Sequence, residues 1–159
     1  MASTKRTAFV TGSGANIGRA CVLHLAKGGF DVIVNGSKNR DACEATAAEA
    51  RKLGIKATVL MGDTGNRTDN ARMIREALAF NGSVDALVHN AAIRPHQGFL
   101  EMSEEEWQRV FDVNFSAALW LARAFLPGMI EKGWGLLVSF VGLNAIGGHA
   151  GRKIGRVHV

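Results

Sequence analysis

The stretch Val10-Thr11-Gly12-Ser13-Gly14-Ala15-Asn16-Ile17-Gly18 decides the fold of this chain. A short β-type run, residues 7–10, leads into it, and a helical pattern follows at once. Glycines in such a turn let the backbone approach a pyrophosphate closely, and the helix start supplies free N–H groups and a positive dipole end. The stretch therefore predicts a dinucleotide-binding turn. Glycine spacing alone is a weak signal, because similar turns also close ordinary strand–helix corners.

Strand and helix patterns alternate along the rest of the sequence. Further strands are predicted at 31–34, 57–60, 86–88 and 136–141, and helices at about 17–27, 41–53, 68–80 and 112–131. The capping box Ser103–Glu106 predicts one more helix start. This alternation indicates a parallel sheet with right-handed connections and helices on both faces. We therefore expect a Rossmann-type, doubly wound α/β fold of about five strands in the order 3-2-1-4-5, with its ligand site at the carboxyl ends of the strands.

The spacing of apolar residues predicts which side of each helix is buried. The predicted buried faces are Ile17, Cys21 and Leu25 in the first helix and Ala71, Ile74 and Leu78 in the third. The run 115–122 is apolar on nearly every side, so the last helix is expected to need partners all around it.

The composition is that of one globular domain. The 159 residues are 47% hydrophobic and 21% charged. The net charge of +5 has a local origin: residues 1–131 carry 15 basic and 14 acidic side chains, whereas the segment after Glu131 has four basic ones and no acidic one. Because no basic stripe interleaved with aromatic residues is present, we expect no nucleic-acid partner.

The sequence also argues against a membrane or secreted location. The longest apolar stretch, 115–126, is interrupted by Arg123 and is too short to cross a bilayer. No signal-peptide segment precedes the first strand. Cys21 and Cys43 both fall in helical patterns, as expected of buried thiols in a reducing cytosol. We therefore expect a cytoplasmic protein with no membrane partner.

Four motifs together resemble the short-chain dehydrogenase/reductase family. Its first fingerprint, Thr-Gly-x-x-x-Gly-x-Gly, is matched by residues 11–18, with Asn16 in place of the middle glycine. Asparagine tolerates left-handed backbone better than other side chains do. Asp63 matches the family's acidic residue beside the adenine, and His89-Asn90-Ala91-Ala92 matches its Asn-Asn-Ala-Gly element with two positions altered. Asn114 matches the asparagine of the family's catalytic set.

The resemblance implies a nicotinamide cofactor site at the strand ends. The predicted cofactor-binding residues come from the family motifs and from the segment that follows the second strand. They are Gly12, Ser13, Gly14, Asn16, Ile17, Gly18, Ser37, Lys38, Arg40, Asp63, Thr64, Asn90, Ala91 and Ala92. Asp63 has an alternative role as a turn or helix-capping residue. The alternative role of Asn90 is to connect neighbouring strands. Asn114 is a poor helix former, which favours a kink or a backbone contact over a surface position.

The segment after the second strand favours NADP over NAD. An NAD site places an acid at the end of this strand, where it binds the ribose hydroxyls. Residues 34–40 contain no acid, and the first one is Asp41. Ser37, Lys38 and Arg40 can neutralise a 2′-phosphate instead. The alternative is that the two basic residues simply begin a solvated helix.

The resemblance also shows which catalytic groups are missing from the sequence. The family takes its proton from a tyrosine, whose pKa is lowered by a lysine four residues later, and holds the substrate oxygen with a serine after the fifth strand. The chain has no tyrosine, Gly142 stands at about the serine position, and His149 stands four residues before the last lysine, Lys153. Members of the family continue with two further strands and a long helix. We therefore expect the N-terminal portion of a reductase, truncated before the proton donor and inactive by itself.

Several other segments have open roles. Residues 1–141 are expected to form the dinucleotide-binding domain, and 142–159 a poorly ordered, glycine-rich basic tail. His149 and His158 have suitable intrinsic pKa values for proton transfer, but nothing in the tail positions them. Arg94 and His96 follow the fourth strand and either bind an anionic group of a substrate or lie in a solvated loop. No cluster of residues predicts a metal site.

The leading interpretation is an NADP-dependent oxidoreductase that interconverts small-molecule carbonyl and alcohol groups, with a 3-oxoacyl reductase-like activity as one option. One alternative is a non-catalytic nucleotide-binding module with a degenerate active site. Another is a Rossmann-like methyltransferase, which requires an acid where Gly36 stands. In the family the helix corresponding to 112–131 forms the usual homo-oligomer interface. An exposed apolar patch and self-association are therefore expected there.

Overall fold

Five parallel strands form the centre of the computed structural model, which describes residues 5–96 and 98–142. The strands are β1 (Thr7–Val10), β2 (Asp31–Gly36), β3 (Ala57–Met61), β4 (Ala86–His89) and β5 (Leu136–Ser139). The helices are α1 (Asn16–Lys27), α2 (Arg40–Arg51), α3 (Arg67–Asn81), α4 (Glu104–Phe111) and α5 (Ala117–Glu131). The strand order is β3-β2-β1-β4-β5, and every neighbouring pair is parallel. The predicted Rossmann-type topology is confirmed.

The sheet has a core on each side because its central strands are apolar on both faces. Ala8 and Val10 of β1 pack with the buried residues of α1 and α2. Phe9, between them, packs with α3 and α5, and its ring centroid lies 5.7 Å from that of Phe125. Successive side chains of a strand point to opposite faces, so one short apolar strand supplies both cores.

Two buried carboxylates join chain segments at the amino ends of the strands. Asp85 accepts a hydrogen bond from the Thr7 N–H at 2.8 Å and an ion-paired one from Lys132 Nζ at 2.7 Å. Asp31 accepts one from the Lys56 N–H at 2.8 Å. Both carboxylates are nearly inaccessible, and these partners offset the cost of their burial. The amino end of the sheet is thus closed by internal polar contacts.

The predicted apolar faces of α1 and α3 are confirmed only in part: Cys21, Leu25, Ile74 and Leu78 pack against the core but are not fully buried. The buried residues are instead Gly18, Val22 and Ala26 in α1 and Asn70, Met73 and Ala77 in α3. Ile17 is 57% exposed and Ala71 is exposed, while Cys21 and Leu25 pack at the margin of the core. The reason is close approach: α1 begins so near the preceding turn that only Gly18 fits there. Pattern analysis favours large apolar side chains and misses such a face.

A π-helical turn, Asp112–Ser116, joins α4 and α5 into one continuous helical segment. α4 begins at the predicted capping box, in which the Ser103 hydroxyl accepts from the Glu106 N–H and the Glu106 carboxylate accepts from the Ser103 N–H. We call Asp112–Ser116 the π-turn. Such turns within α-helices are frequent at functional sites. The two helices predicted here, one from the capping box and one over about 112–131, are therefore parts of one continuous helical segment, in which α5 begins at Ala117.

By length and composition, the continuous segment Glu104–Glu131 is long and apolar enough to cross a membrane. The apolar run 115–126 is itself shorter than a bilayer span, and the additional length comes from the helical residues on both sides of it. Core helices of soluble proteins pass the same test. Leu121, Phe125 and Met129 of α5 pack into the core shared with α3 and the sheet.

One side of this segment is exposed and apolar. We call it the apolar helix face; its residues are Trp107, Phe111, Phe115, Leu119, Leu126 and Ile130. Phe115 is 66% exposed and Ile130 is 70% exposed. The apolar surface expected for this helix is therefore present among the described residues. A surface of this kind marks either an interaction site or an aggregation liability.

The two cysteines are free thiols, with Cys43 buried and Cys21 half-buried. Of the predicted tail, residues 143–159 lie outside the described residues. The division into a domain of residues 1–141 and a tail stays a prediction.

We predict that the purified chain self-associates through the apolar helix face. Phe115→Glu should shift the mass measured by light scattering towards the 17.0 kDa of one chain, because a charge buried in such a contact is costly. Leu53→Glu is the matched control, since Leu53 is an exposed apolar residue outside this face. A monodisperse wild-type monomer that binds no dye specific for apolar surface would contradict the prediction.

Candidate cofactor site

The glycine-rich turn runs from β1 into α1, and two of its residues adopt left-handed backbone. Gly12 has φ of +59° and Asn16 has φ of +50°. Asn16 therefore fills the middle-glycine position with the side chain best suited to it. A Cβ on Gly18 would overlap the Gly12 carbonyl oxygen and lie 2.7 Å from Asn90 Nδ2. A Cβ on Gly12 would lie 3.0 Å from the Cα of Ala91. Both glycines are thus required by close packing.

Buried polar side chains support this turn from the sheet. Ser13 is fully buried; its hydroxyl donates to the Val10 carbonyl at 2.7 Å and accepts from the Asn35 N–H at 3.0 Å. Asn35, at the end of β2, accepts from the Gly12 N–H at 3.2 Å and donates to the Leu60 carbonyl at 3.0 Å. Sequence analysis missed Asn35. Its signal is a polar residue in an otherwise apolar buried strand.

The end of β4 is fastened to the same turn. Asn90 Nδ2 donates to the carbonyl oxygens of Gly12 at 2.8 Å and Thr11 at 3.1 Å. The Thr11 hydroxyl oxygen accepts from the N–H groups of Asn90 at 3.0 Å and Ala91 at 2.9 Å. Asn90 therefore ties neighbouring strand ends together, which is the alternative role given for it above.

A cleft of about 360 Å³ opens above the turn. The predicted cofactor residues that line it are Gly12, Asn16, Ile17, Ser37, Asp63, Thr64, Asn90, Ala91 and Ala92. Its other lining residues are Ala15, Asn35, Gly62, Ile93, Arg109 and Val113. The predicted residues outside this lining are Ser13, Gly14, Gly18, Lys38 and Arg40. The volume and position are those of a small-molecule site in a doubly wound sheet.

An ion pair closes one side of the cleft. The Arg109 guanidinium, from α4, pairs with Asp63 Oδ2 and lies directly against Gly65. Asp63 Oδ1 accepts from the Gly65 N–H at 2.9 Å, so the carboxylate also acts as a turn residue. The Asp63 N–H donates to Asp69 at 2.8 Å, and this bond lowers the pKa of Asp69. Sequence analysis missed Arg109, because no local pattern connects α4 with the end of β3.

The three residues proposed for a 2′-phosphate follow the end of β2. Ser37 lines the cleft, whereas Lys38 and Arg40 are exposed and lie outside its lining. Arg40 lies 3.5 Å from Glu44, in a solvent-exposed pair of little energetic weight. A Cβ on Gly36 would lie 2.5 Å from Cys43 Sγ, so this position admits no acidic side chain without rearrangement.

Asn114, in the π-turn, holds the loop after β4. Its Nδ2 donates to the Ile93 carbonyl at 2.9 Å, and its Oδ1 accepts from the Ile93 N–H at 2.8 Å. The expected backbone contact is confirmed, while the place of Asn114 in the catalytic set stays a prediction. Gly142, at about the serine position, faces open space where a side chain would begin.

The remaining candidates contribute little to this site. Arg94 and His96 are exposed, as the solvated-loop alternative requires. His149, Lys153 and His158 lie outside the described residues. Within residues 5–96 and 98–142, no group of three or more His, Cys, Asp or Glu side chains is placed to hold a metal ion.

Comparison with known proteins gives the family. A family model described as "short chain dehydrogenase" matches residues 6–152. The chain belongs to the short-chain dehydrogenase/reductase family. The 3-oxoacyl-[acyl-carrier-protein] reductase FabG of Staphylococcus epidermidis is 29% identical over 147 residues, which are 92% of this chain and 60% of that reductase. Dehydrogenase/reductase SDR family member 4 of Oryctolagus cuniculus is 32% identical over 148 residues, which are 92% of this chain and 56% of that protein.

Solved structures of short-chain dehydrogenases/reductases have the same fold. Acetoin dehydrogenase YohF from Salmonella typhimurium aligns with a TM-score of 0.87 and 27% identity, over 94% of this chain and 59% of that one. A metagenomic short-chain oxidoreductase in complex with NADP aligns with a TM-score of 0.86 and 28% identity, over 96% and 68%. This chain spans 56% to 60% of the length of the two curated relatives named above.

Family membership and the neighbour solved in complex with NADP support nicotinamide cofactor binding by an oxidoreductase fold. The methyltransferase alternative is therefore set aside. The individual cofactor contacts remain proposals, since they follow from the geometry of the described residues and the family motif.

Gly18→Ala tests the turn. We predict a loss of stability of about 1–3 kcal/mol, because the added methyl group overlaps backbone that cannot move away. Chemical denaturation of the variant measures this loss. Gly128→Ala is the matched control: the nearest atom to its new Cβ is 3.8 Å away, and alanine is the better helix former. An equal free energy of unfolding for the wild type and Gly18→Ala would contradict the close packing of Gly18 against the Gly12 carbonyl.

Proposed function

We propose that this chain supplies the NADP-binding half of an oxidoreductase that interconverts carbonyl and alcohol groups of small molecules. The observation that carries this proposal is the uncapped start of α1. Ala15 precedes the helix without a side-chain cap, and no acidic residue occupies the first turn. By contrast, α2, α3 and α4 are capped by Asn39, Asn66 and Ser103.

The uncapped helix start lies at the cleft. Ala15, Asn16 and Ile17 all line it. The first N–H groups of a helix have no partner within the helix, so they are available to phosphate oxygens, and the dipole favours negative charge there. The pyrophosphate of a dinucleotide supplies both the acceptors and the charge that this end of α1 needs.

The preference for NADP rests on the end of β2. The strand ends in Asn35 and Gly36, neither of which is an acid, and the Asn35 amide is already bonded to the turn. Ser37 lines the cleft, and the exposed cations Lys38 and Arg40 follow it directly in the sequence. A 2′-phosphate placed here meets two cations, whereas the ribose hydroxyls of NAD meet no carboxylate acceptor.

The preference is tested by titrating the chain with NADPH and with NADH. We expect NADPH to bind at least tenfold more tightly, since hydrogen bonds to charged groups contribute about 1.5–3 kcal/mol each. The double variant Lys38→Ala/Arg40→Ala should lose this preference with little change in NADH affinity. Ser37→Asp should favour NADH. Lys27→Ala, at the far end of α1, is the control for lost charge. Equal affinity of the wild type for the two cofactors would contradict the preference.

We further propose that these 159 residues bind the cofactor without turnover. They contain no tyrosine, and Gly142 offers no hydroxyl at about the serine position. Suitable substrates are a 3-oxoacyl thioester and acetoin, the classes named for the relatives. We expect no oxidation or reduction of the cofactor with either.

The absence of tyrosine also favours the second candidate, a non-catalytic nucleotide-binding module. Reading the coding frame beyond codon 159 separates the two candidates, because a Tyr-x-x-x-Lys motif there supports the reductase. A cytoplasmic location and a homo-oligomer built through the apolar helix face belong to the same proposal.

A further inference from the structure

Arg109 reaches the cleft from α4 and has no role in the proposed function. Its guanidinium forms an ion pair with Asp63, which follows β3, and both residues line the cleft. The two side chains are 43% and 34% exposed, so a ligand in the cleft can reach both of them. The pair is thus an accessible, charged part of the cleft wall.

The surrounding residues make room for this pair and hold its carboxylate in place. A Cβ on Gly65 would overlap the Arg109 guanidinium, so the pair requires a glycine there. Asp63 Oδ1 accepts from the Gly65 N–H at 2.9 Å, and the Asp63 N–H donates to Asp69 at 2.8 Å. These two bonds hold Asp63 independently of Arg109. The guanidinium can therefore be removed without releasing the carboxylate.

The order of the strands places this pair at one end of a bound dinucleotide. The start of α1 follows β1, Ser37 follows β2 and Asp63 follows β3, and these strands are neighbours in the sheet. A cofactor with its pyrophosphate at α1 and its ribose at the end of β2 continues with its base towards the end of β3. Because N9 of a purine carries the ribose, the opposite edge, with N6 and N1, faces Asp63 and Arg109.

The pair presents a hydrogen-bond acceptor next to a hydrogen-bond donor. An ionised carboxylate only accepts, and a guanidinium only donates. The two are joined through Arg109 Nη2 and Asp63 Oδ2, which leaves N–H groups and lone pairs for a ligand. Adenine offers the matching edge, a donor at N6 beside an acceptor at N1. Hypoxanthine offers the reverse, an acceptor at O6 beside a donor at N1, so each group of the pair would meet its own kind.

We propose that Arg109 is a specificity-determining residue of the cofactor site: paired with Asp63, it donates to N1 of the cofactor's adenine and selects this base against hypoxanthine. The inference rests on the proposed function, because it needs a dinucleotide in the cleft. It does not depend on the 2′-phosphate, since the candidates for that group follow β2 and the pair follows β3. Unpaired like groups facing the wrong base are a general source of specificity.

Fluorescence titration of the whole chain with reduced cofactors measures this selection. The probes are NADPH and its analogue with hypoxanthine in place of adenine, which differ at the base alone. We expect NADPH to bind about tenfold more tightly or better, the size of one hydrogen bond to a charged group. Arg109→Met keeps an unbranched side chain but removes the donors. It should reduce the ratio of the two affinities by about fivefold or more, for the same reason.

Further titrations separate base selection from lost charge. Arg109→Lys keeps a cation and a donor at this position, so it should retain more of the ratio than Arg109→Met. Arg75→Met is the matched control, because Arg75 is an exposed arginine of α3 outside the cleft lining. It should change neither affinity. NADH and its hypoxanthine analogue should give the same ratio as the NADPH pair, because the base and the 2′-phosphate are bound at different strand ends.

Equal losses of affinity for both bases in Arg109→Met, with their ratio unchanged, would overturn the proposal, because Arg109 would then contribute only charge or stability. Equal affinities of the wild type for the adenine and hypoxanthine cofactors would also overturn it, and this result needs no variant to fold. A wild type that binds neither cofactor would reject the proposed function itself. Binding without base selection rejects this inference alone.

Discussion

The contact of Gly18 with the Gly12 carbonyl and the Asn90 amide is the constraint on which the rest of the site depends. It fixes the distance between α1 and the ends of β1 and β4, because a single added carbon would separate them. From this distance follow the left-handed backbone of Gly12 and Asn16, the cleft above them and the free start of α1. The geometry of the proposed cofactor site thus depends on the lack of a side chain at Gly18.

Around this contact, polar side chains connect the strand ends to the glycine-rich turn. Asn35 joins the ends of β2 and β3 to the turn, and Asn90 joins the end of β4 to it. Their amides bond backbone groups that no strand partner satisfies, and each satisfied group avoids the cost of a buried unpaired one. These bonds hold the strand ends together at the carboxyl end of the sheet, and the cleft above them stays open. The amino end is closed instead, through Asp31 and Asp85.

Most of the fold could be predicted from the sequence because its signals are local. A strand, a glycine-rich turn and a helix follow one another within residues 7–27, and the same alternation recurs along the chain. The buried face of α1 could not be predicted in this way. It consists of Gly18, Val22 and Ala26, and small residues carry little hydrophobic signal although they allow the closest packing.

The site was predictable where a motif is contiguous and not where it is assembled from distant elements. The glycine-rich turn and Asn90 belong to contiguous motifs and line or shape the cleft. Arg109 reaches Asp63 from a helix 46 positions further along the chain, and no periodicity encodes that pair. The sequence does indicate Asn35, because it is an amide at the end of an otherwise apolar strand. A search limited to charged residues does not detect it.

The pairing of β1 with β4 has a consequence for the order of folding. The two strands are neighbours in the sheet, yet Thr11 and Asn90 are 79 positions apart in the chain. Closing so large a loop carries an entropic cost that the contact must offset, and such non-local pairing slows folding. During synthesis the glycine-rich turn emerges first, but its contacts with Asn90 and Ala91 can form only after the polypeptide has grown past these residues.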